Sequence, residues 1–457
     1  MTHLGDMVDV LHQYSLTPSD TVETYRPRRL LSVDERVYGL VQFWTEVKYN
    51  FAFFDQVPDL NWDGKLQEYL PLVRAAPDDN AYYRLLQRLC AELQDGHTNI
   101  YPPMYVRGTF VAPPVSIAAV GDAFIVENVD STLQERLPLG SEVVAIDDQP
   151  VEAYLRDSIY PYVAAGSDHV RRMIAARELL NGPLGTPVRL AVRTPEGASR
   201  AIDLPRNRQT GPYAWVKDRP RREPAAFRKL PDGVGYMQFN TFSEEAVVDS
   251  FHRYRPALDS CSSLVIDLRY NGGGNSGIGY EILRHFLTGP VPTSAWRTRE
   301  HRAAFKAWGD YYIKSDRVTD DEWTQRAVKT YRGDYWYEGE SDTLTPADTV
   351  YRMPVVVLVS HQTASAAEDF LVAADAAPEF TFVGEASYGS TGQPLWFKLP
   401  GGGDARVCTK RDTYADGREF VGPGVQVDVP VELTVADYLS NRDVVLERAL
   451  EVLGSKR

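Results

Sequence analysis

Hydrophobic positions between residues 33 and 95 follow a helical period. In the segment VDERVYGLVQFWTEVKYNF, apolar side chains recur every three or four residues, which is the spacing of one helix face. They are Val37, Leu40, Val41, Phe43 and Trp44. The segment NAYYRLLQRLCAELQDG repeats this pattern and stops at Gly96, a residue type that commonly follows a helix end. The region is therefore predicted to be helical, and His97 lies just beyond a helix terminus.

The pattern changes to short β-type runs over residues 108–206. The runs VSIAAV, AFIVENV, EVVAIDD and PVRLAVRT are separated by turn residues, as in a small sheet. A helical stretch near residues 168–181 interrupts them. This region is predicted to form a β-rich module with one helix. Residues 207–225 are rich in Arg, Pro and Gly and are predicted to be a linker.

From residue 226 onward, uniformly apolar runs alternate with amphipathic ones. GVGYMQFN, SLVIDLRY, PVVVLVS and FTFVGEA are strand candidates, and helix candidates lie at 243–257, 277–287 and 365–377. Apolar strands that alternate with helices indicate a buried, mostly parallel sheet, so the fold class is α/β. Residues 290–350 are polar and aromatic with poor periodicity, which indicates an insertion near the site.

Composition narrows the class of protein. The chain has 457 residues and a net charge of −14, which argues against a general nucleic-acid or anionic-membrane binder. No apolar run approaches the ~18 residues of a membrane span. The first twenty residues lack the pattern of a signal peptide, so we expect a cytoplasmic protein, or a periplasmic or secreted one if a signal peptide has been removed. Cys90, Cys261 and Cys408 are scattered and odd in number, which favours buried thiols over disulfides or a zinc site.

A glycine-rich turn, NGGGNSG, follows one of the predicted core strands. Gly272, Gly274 and Gly277 match the dinucleotide-binding spacing, but no second strand ending in an acidic residue follows at the required distance. The turn either serves only to connect a strand to a helix, or it brings backbone N–H groups close to a substrate. GEASYGST has Walker A spacing but carries Ser390 in place of the lysine, which argues against phosphate binding. With no HExxH and no paired Cys/His spacing, the sequence predicts neither a cofactor nor a metal.

Ser365 lies where a buried strand is predicted to turn into a helix. Ser365 and Glu368 fit the S-x-x-E capping box, so the serine could serve only as a helix cap. The same position suits a nucleophile, because a helix N-terminus offers N–H groups to an oxyanion. A serine is a weak nucleophile until a base activates it, so the choice depends on the histidines.

One of the eight histidines is a candidate base. His361 precedes the turn that carries Ser365 and is expected to point elsewhere. Three others lie on or beside predicted helices and are expected to be solvated or hydrogen bonded: His252, His285 and His301. His97 lies in the loop LQDGHTNIY, and by composition it is either an ordinary loop histidine or the base.

Four stretches together resemble one family. LQDGHT (93–98), VIDLRYNGGGN (265–275), HQTASAAEDF (361–370) and VGEASYGSTGQP (383–394) occur in the order found in the C-terminal processing and tricorn-type serine peptidases. This group includes the tail-specific proteases and interphotoreceptor retinoid-binding protein. FWTEVKYNFAFFDQVPDLNWD (43–63) is similar to the N-terminal helical segment of the tricorn-like branch. The likeness extends from about residue 33 to about residue 450.

The resemblance implies a three-part chain. The expected parts are an N-terminal helical region at 1–103 that carries the base, a PDZ-like module at 104–206 and a crotonase-like α/β peptidase core at 207–457. LPLGSEVVAIDDQPV (137–151) resembles a characteristic stretch of the PDZ-like module. Such a module would bind an extended peptide as an added strand, or would act only as a spacer or lid.

The resemblance also implies the roles of individual residues. Ser365 corresponds to the nucleophile and His97 to the base. The oxyanion hole would combine the backbone N–H of Ala366 with one from Gly273 or Gly274. Histidine suits the role because it titrates near neutral pH.

Two features distinguish this chain from known branches of the family. Tail-specific proteases use a lysine base where this chain has Ser390, and Lys398 lies eight residues later in a predicted strand, with its side chain expected on the solvent side. In tricorn, a serine precedes the histidine and a glutamate closes a tetrad. Here that serine is replaced by Gly96, and Glu419 is the candidate glutamate, with Asp416 behind it.

The expected activity is therefore that of a serine endopeptidase, acting in C-terminal processing or peptide degradation. Its partners would be peptide or protein substrates, without nucleic acid or a membrane span. The alternative is a non-catalytic protein that binds hydrophobic ligands on the same fold. The joint presence of Ser365, His97 and the glycine turn favours the enzyme, because a binding protein need not retain them.

Overall fold

The computed structural model describes residues 30–208, 212–218, 222–440 and 442–455. The expectation about a signal peptide concerns residues outside these ranges, as does part of the expected linker. Within the described ranges, no helix combines the length and the apolar character needed to cross a membrane.

The predicted helical region is confirmed as three helices. Ser32 starts the first of them with a capping box, in which its hydroxyl accepts from the Glu35 N–H and the Glu35 carboxylate accepts from the Ser32 N–H. Leu40, Phe43 and Val47 of this helix are fully buried in the same hydrophobic cluster as the strands of the α/β core, so the helical region packs directly on that core. Val41, expected on the same face, is 39% exposed. The elements are α1 (Val33–Asn50), α2 (Trp62–Ala75), α3 (Asp79–Ala91), β1 (Asn99–Tyr101) and α4 (Met104–Arg107).

The β-rich region forms an antiparallel sheet with its own hydrophobic cluster. Its elements are β2 (Phe110–Val111), β3 (Val115–Val120), β4 (Ala123–Val129), β5 (Glu142–Ile146), β6 (Gln149–Pro150), α5 (Val151–Tyr154), α6 (Asp168–Glu178), β7 (Gly182–Pro183), β8 (Pro187–Arg193) and β9 (Ser199–Pro205). The main sheet has the order β3-β4-β5-β8-β9, β6 pairs with β5, and β2 pairs with β7. The helix predicted near 168–181 is α6, which lies beside the edge strand β3.

The α/β region is built on a six-stranded sheet with the order β10-β11-β12-β17-β18-β22. All its pairs are parallel except β10 with β11, which confirms the prediction of a mostly parallel sheet. β12 and β17 are buried along their whole length, and β17 is apolar at every position, as a strand covered on both faces favours. The first elements are β10 (Ala225–Lys229), β11 (Val234–Phe239), α7 (Ala246–Leu258), β12 (Ser263–Asp267) and α8 (Ser276–Leu283).

The insertion at residues 290–350 contains two helices that the sequence pattern did not reveal. They pack against each other through an aromatic cluster of Phe305, Trp308 and Trp323. Each helix buries only a few residues. The elements are β13 (Val291–Pro292), β14 (Ala295–Arg299), α9 (Ala303–Lys314), α10 (Glu322–Tyr331), β15 (Trp336–Gly339) and β16 (Thr343–Leu344).

The last part of the chain completes the parallel sheet and adds a second, three-stranded one. β1 from the helical region pairs with β20, which also pairs with β19, and this sheet links the helical region to the last part of the chain. The elements are β17 (Val355–Val359), α11 (Ala366–Asp375), β18 (Phe380–Gly384), β19 (Pro394–Leu399), β20 (Gly403–Cys408), β21 (Lys410–Thr413), β22 (Val429–Pro430), α12 (Val435–Leu439) and α13 (Val444–Ser455).

Candidate active site

Ser365 occupies the turn between β17 and α11. Its backbone has φ 56° and ψ −125°, a conformation that L-residues rarely adopt. Non-glycine residues held at positive φ are often found at functional sites, where the surrounding structure supports the strain. The Ser365 carbonyl accepts hydrogen bonds from the N–H groups of Glu368 (2.7 Å) and Asp369 (3.1 Å), so the serine does start the helix.

The glycine turn lies against this serine because β12 and β17 are parallel neighbours, whose carboxyl ends meet at one edge of the sheet. Hydrogen bonds join the two loops: the Ala364 N–H donates to the Asn271 carbonyl (3.0 Å), and Thr363 Oγ1 donates to the Leu268 carbonyl (2.9 Å). A Cβ on Gly273 would lie 2.5 Å from Ser365 Cβ. Only glycine allows this close approach of the turn to Ser365.

His97 reaches the site from the helical region through the pairing of β1 with β20. Asn99 is in register with Arg406, whose guanidinium donates to the Gly96 carbonyl (3.2 Å) and to Asn99 Oδ1 (2.7 Å). On the other side of the histidine, Thr98 Oγ1 accepts from the Cys408 N–H (3.1 Å). These bonds place His97 in the core, where it is 8% exposed.

A chain of side chains runs from the serine to a buried carboxylate. His97 Nε2 lies 3.3 Å from Ser365 Oγ, and His97 Nδ1 lies 2.5 Å from Ser390 Oγ. Ser390 Oγ in turn lies 3.4 Å from Asp95 Oδ1, and Asp95 Oδ2 accepts from Thr98 Oγ1 (2.6 Å). If Nδ1 carries the proton and donates to Ser390, then Nε2 has a free lone pair for the Ser365 hydroxyl. A histidine nitrogen with a free lone pair beside a serine hydroxyl is an arrangement that can activate the serine as a nucleophile.

Gly96 explains why Ser390 can reach the histidine. A Cβ at position 96 would lie 3.0 Å from Ser390 Cβ, 3.1 Å from Ser390 Oγ and 2.5 Å from the Tyr388 ring. A serine before the histidine would therefore displace Ser390. In this chain the hydroxyl that contacts His97 Nδ1 comes from residue 390, the position at which the tail-specific branch carries its lysine.

Glu368 holds the nucleophile and the Ser390 loop together. Its fully buried carboxylate accepts from the N–H groups of Ser365 (3.0 Å), Gly389 (2.7 Å) and Ser390 (3.1 Å), and from the Ser387 hydroxyl. Burial raises the pKa of Glu368 to about 8, while these four donors act in the opposite direction. The glutamate predicted to complete a capping box thus also positions the loop that orients His97.

Burial lowers the pKa of His97 well below its usual value, and the positive charge of Arg406 adds to the effect. The imidazole is consequently neutral at neutral pH, which is the form that can accept a proton. Burial raises the pKa of Asp95, while its hydrogen bonds with Thr98, the His97 backbone and Ser390 lower it.

The structure does not bring Glu419 to His97, contrary to the sequence expectation. Glu419 accepts from Arg411 Nη2 (2.8 Å), and Asp416 accepts from Arg418 Nε (2.8 Å). Each carboxylate is thus paired with an arginine, and the two nitrogens of the imidazole have serine hydroxyls as partners.

Lys398 lies outside the site, as its position in β19 predicted. Its side chain is 81% exposed and forms an ion pair with Asp404 at 2.7 Å.

Of the N–H groups expected to form the oxyanion hole, that of Gly273 already has a hydrogen-bond acceptor. The Gly273 N–H donates to Asn271 Oδ1 (3.0 Å). Across the described residues, the N–H groups of Ala366 and Gly274 have no hydrogen-bond acceptor. Ala366 begins α11, so its N–H has the favourable polarity of a helix N-terminus.

Asp95 and Ser390 lie within the family motifs, but the sequence alone predicts no role for either residue. The signal for Ser390 was present, since it occupies the lysine position of another branch. The signal for Asp95 was weak, because a buried acid after a helix has many other uses.

Two comparisons with known proteins concern the family and the fold. Residues 233–431 match the family model for peptidase family S41. The fold is also similar to that of mature CPAF in complex with lactacystin, with a TM-score of 0.70, 14% identity, and coverage of 93% of this chain and 99% of that one. A second structure of mature CPAF gives a TM-score of 0.67 and 15% identity, with coverage of 89% of this chain and 94% of that one.

The family match includes Ser365, Glu368, Ser390 and the glycine turn, while His97 comes from outside the matched residues. At these identities the likeness to solved structures concerns the fold, which is mixed α/β with several parts. The match of residues 233–431 to the family model supports assignment of this part of the chain to peptidase family S41, a family of serine-type peptidases.

Proposed function

We propose that this protein is a serine endopeptidase in which Ser365 is the nucleophile and His97 is the general base. The observation that carries the proposal is the 3.3 Å approach of Ser365 Oγ to His97 Nε2 across a separation of 268 residues. Three separate parts of the chain must pack correctly to produce that contact. A merely structural serine would not need a neutral histidine, a strained backbone and a glycine turn at the same place.

The reaction follows from these positions. As Ser365 Oγ bonds to the carbonyl carbon of a peptide, its proton passes to His97 Nε2. The Ala366 N–H and an N–H of the Gly273–Gly274 segment stabilise the negative charge on the carbonyl oxygen. His97 then gives its proton to the leaving amine. Water next attacks the acyl carbon while His97 accepts its proton, and the proton returns to Ser365 Oγ as the acid product leaves.

The test is covalent labelling of the full chain by a serine-directed phosphonate, followed by mapping of the modified residue. We expect phosphonylation at Ser365, and we expect the labelling rate to fall when the reaction is run at a pH low enough to protonate His97. A protein that only binds hydrophobic ligands would not be labelled at Ser365, and that result would favour the alternative function.

Ser390 is proposed as a positioning residue that orients His97. Ser390→Ala leaves the buried Nδ1–H without an acceptor, at a cost of about 1–3 kcal/mol, or roughly 10–100-fold in kcat/KM. The acid limb of the pH profile should move to lower pH, because the charged imidazole loses a stabilising hydrogen bond. Kinetics of the variant across pH would measure both effects.

The matched control is Ser199→Ala, which removes an exposed hydroxyl on β9 and should leave both the rate and the pH profile unchanged. If Ser390→Ala behaves like this control, Ser390 does not orient the base.

The finer description of the fold is part of the proposal. The sheet that carries both site loops supports a crotonase-like core. In the β-rich module, the edge strand β3 beside α6 supports a PDZ-like arrangement, since such modules add a peptide strand next to a helix.

α6 also contacts the catalytic region: His169 Nε2 lies 3.0 Å from the Ser387 carbonyl, and Arg177 donates to Gln362 Oε1 (3.2 Å). A peptide held at β3 would therefore lie close to the loops that surround Ser365.

A further inference from the structure

Three side chains that the proposed reaction does not use converge where α7 and α8 pack together. His252 lies on α7, Glu281 lies on α8, and His285 lies two residues beyond the end of α8. Their ligand atoms all lie within 4.8 Å of one another. The two imidazole rings are 5.7 Å apart and nearly perpendicular, at 87°. His285 Nε2 lies 4.0 Å from Glu281 Oε1.

His285 is held with one ring nitrogen aimed at this cluster and unpaired. The residue is 5% exposed. Its Nδ1 lies 3.0 Å from the Thr349 carbonyl, so Nδ1 carries the proton and Nε2 has the lone pair. Nε2 is buried without a hydrogen-bond partner among the described residues. Because an unsatisfied buried polar atom is costly, such an atom calls for a ligand.

The residues around the cluster hold its ligands in place. Arg284 Nη1 donates to Glu281 Oε2 (3.2 Å), which leaves Oε1 on the side of His285. Arg284 Nε is itself fixed by the Thr345 carbonyl (2.9 Å), and the Tyr351 N–H donates to the His285 carbonyl (2.8 Å). A histidine that donates its second N–H to a backbone carbonyl is the usual arrangement of a metal ligand.

We propose that His252, Glu281 and His285 form a binding site for a divalent transition-metal ion, with Zn(II) as the best match. Two imidazoles and one carboxylate are a common zinc ligand set, which leaves a further position for water. Metal–ligand distances of about 2.0–2.2 Å require the side chains to close around the ion by roughly 1 Å. The partly exposed Glu281 and the exposed His252 have room to do so.

The two imidazoles and the carboxylate of the cluster are donor types that suit a divalent transition-metal cation. Arg255 lies nearby but is directed to Tyr351, where its Nε is 3.4 Å from the hydroxyl.

A bound ion would stabilise the packing of the helices and would take no part in the proposed peptide hydrolysis. None of the three residues hydrogen bonds with Ser365 or His97. An ion would join α7 to the end of α8, the helix that follows the glycine turn. The sequence pattern did not reveal the site, because one ligand lies on a different helix, 33 positions before His285 in the sequence.

The test is a titration of the full chain, freed of metal with a chelator, first with Co(II) and then with Zn(II) alone. We expect the visible absorption of four- or five-coordinate Co(II), its displacement by about one equivalent of Zn(II), and a rise in Tm with Zn(II). His252→Ala and Glu281→Gln alter exposed or partly exposed positions and should fold normally. Each should weaken Zn(II) binding by at least about 10–100-fold.

His301→Ala is the matched control, because it removes an exposed histidine elsewhere, and it should bind like the wild type. The inference is overturned if the wild-type chain shows no Co(II) absorption and no Zn(II)-dependent rise in Tm. It is equally overturned if His252→Ala and Glu281→Gln bind Zn(II) as tightly as His301→Ala, since the ion would then lie at another site.

Discussion

Ser365→Ala should abolish peptidase activity while leaving the protein folded. Without Oγ no acyl-enzyme can form, and we expect kcat/KM to fall by roughly 10⁴-fold or more, as when a catalytic serine is removed from other serine hydrolases. The Tm should stay within a few degrees, because the helix start depends mainly on backbone bonds to the Ser365 carbonyl and on Glu368, which the variant keeps. Peptide cleavage assays and a thermal melt measure the two quantities.

Ser365→Gly separates the role of the hydroxyl from that of the backbone. Glycine adopts positive φ without strain, so this variant should be as inactive as the alanine variant and at least as stable. If either variant cleaves peptides at the wild-type rate, Ser365 is not the nucleophile.

His97→Ala should produce the second large loss. A positioned general base contributes about 10²–10⁴-fold, and removal of His97 also leaves the Ser365 hydroxyl without an acceptor. We therefore expect kcat/KM to fall by about 10³-fold or more. A competing lysine base predicts a different result, so Lys398→Met is the matched control and should retain activity, because that side chain is exposed and paired with Asp404.

The pH profile provides a second measurement of the same role. The base is active when neutral, so kcat/KM should fall as the pH drops through the pKa of His97. Since burial lowers that pKa, the fall should come at a lower pH than the value of about 6.5 for an ordinary histidine. His97→Ala should remove this limb of the profile. A wild-type limb well above pH 7, or an unchanged limb in the variant, would contradict the assignment of His97 as the base.

Local patterns were enough to predict much of the architecture. The helical period over residues 33–95 and the uniformly apolar runs such as PVVVLVS depend on neighbours in sequence, so they indicated the helices and the buried parallel strands directly. The same apolar runs predicted that Ser365 and the glycine turn follow the carboxyl ends of strands, and in a parallel sheet the loops after these ends lie at the same edge. The two helices of the insertion are not predicted from the sequence, and they bury few residues.

The contacts of His97 could not be read from local pattern, because they depend on a long-range strand pair. Motif order suggested that His97 meets Ser365, but the pairing of β1 with β20 is what positions the histidine. The choice between Glu419 and Ser390 as its neighbour depended on side-chain packing. Glu419 is attracted to Arg411, while the missing side chain of Gly96 leaves space for the Ser390 hydroxyl. Sequence alone therefore determined the elements and the candidate nucleophile and base, and packing between distant segments decided what surrounds them, because such contacts leave no periodic trace along the chain.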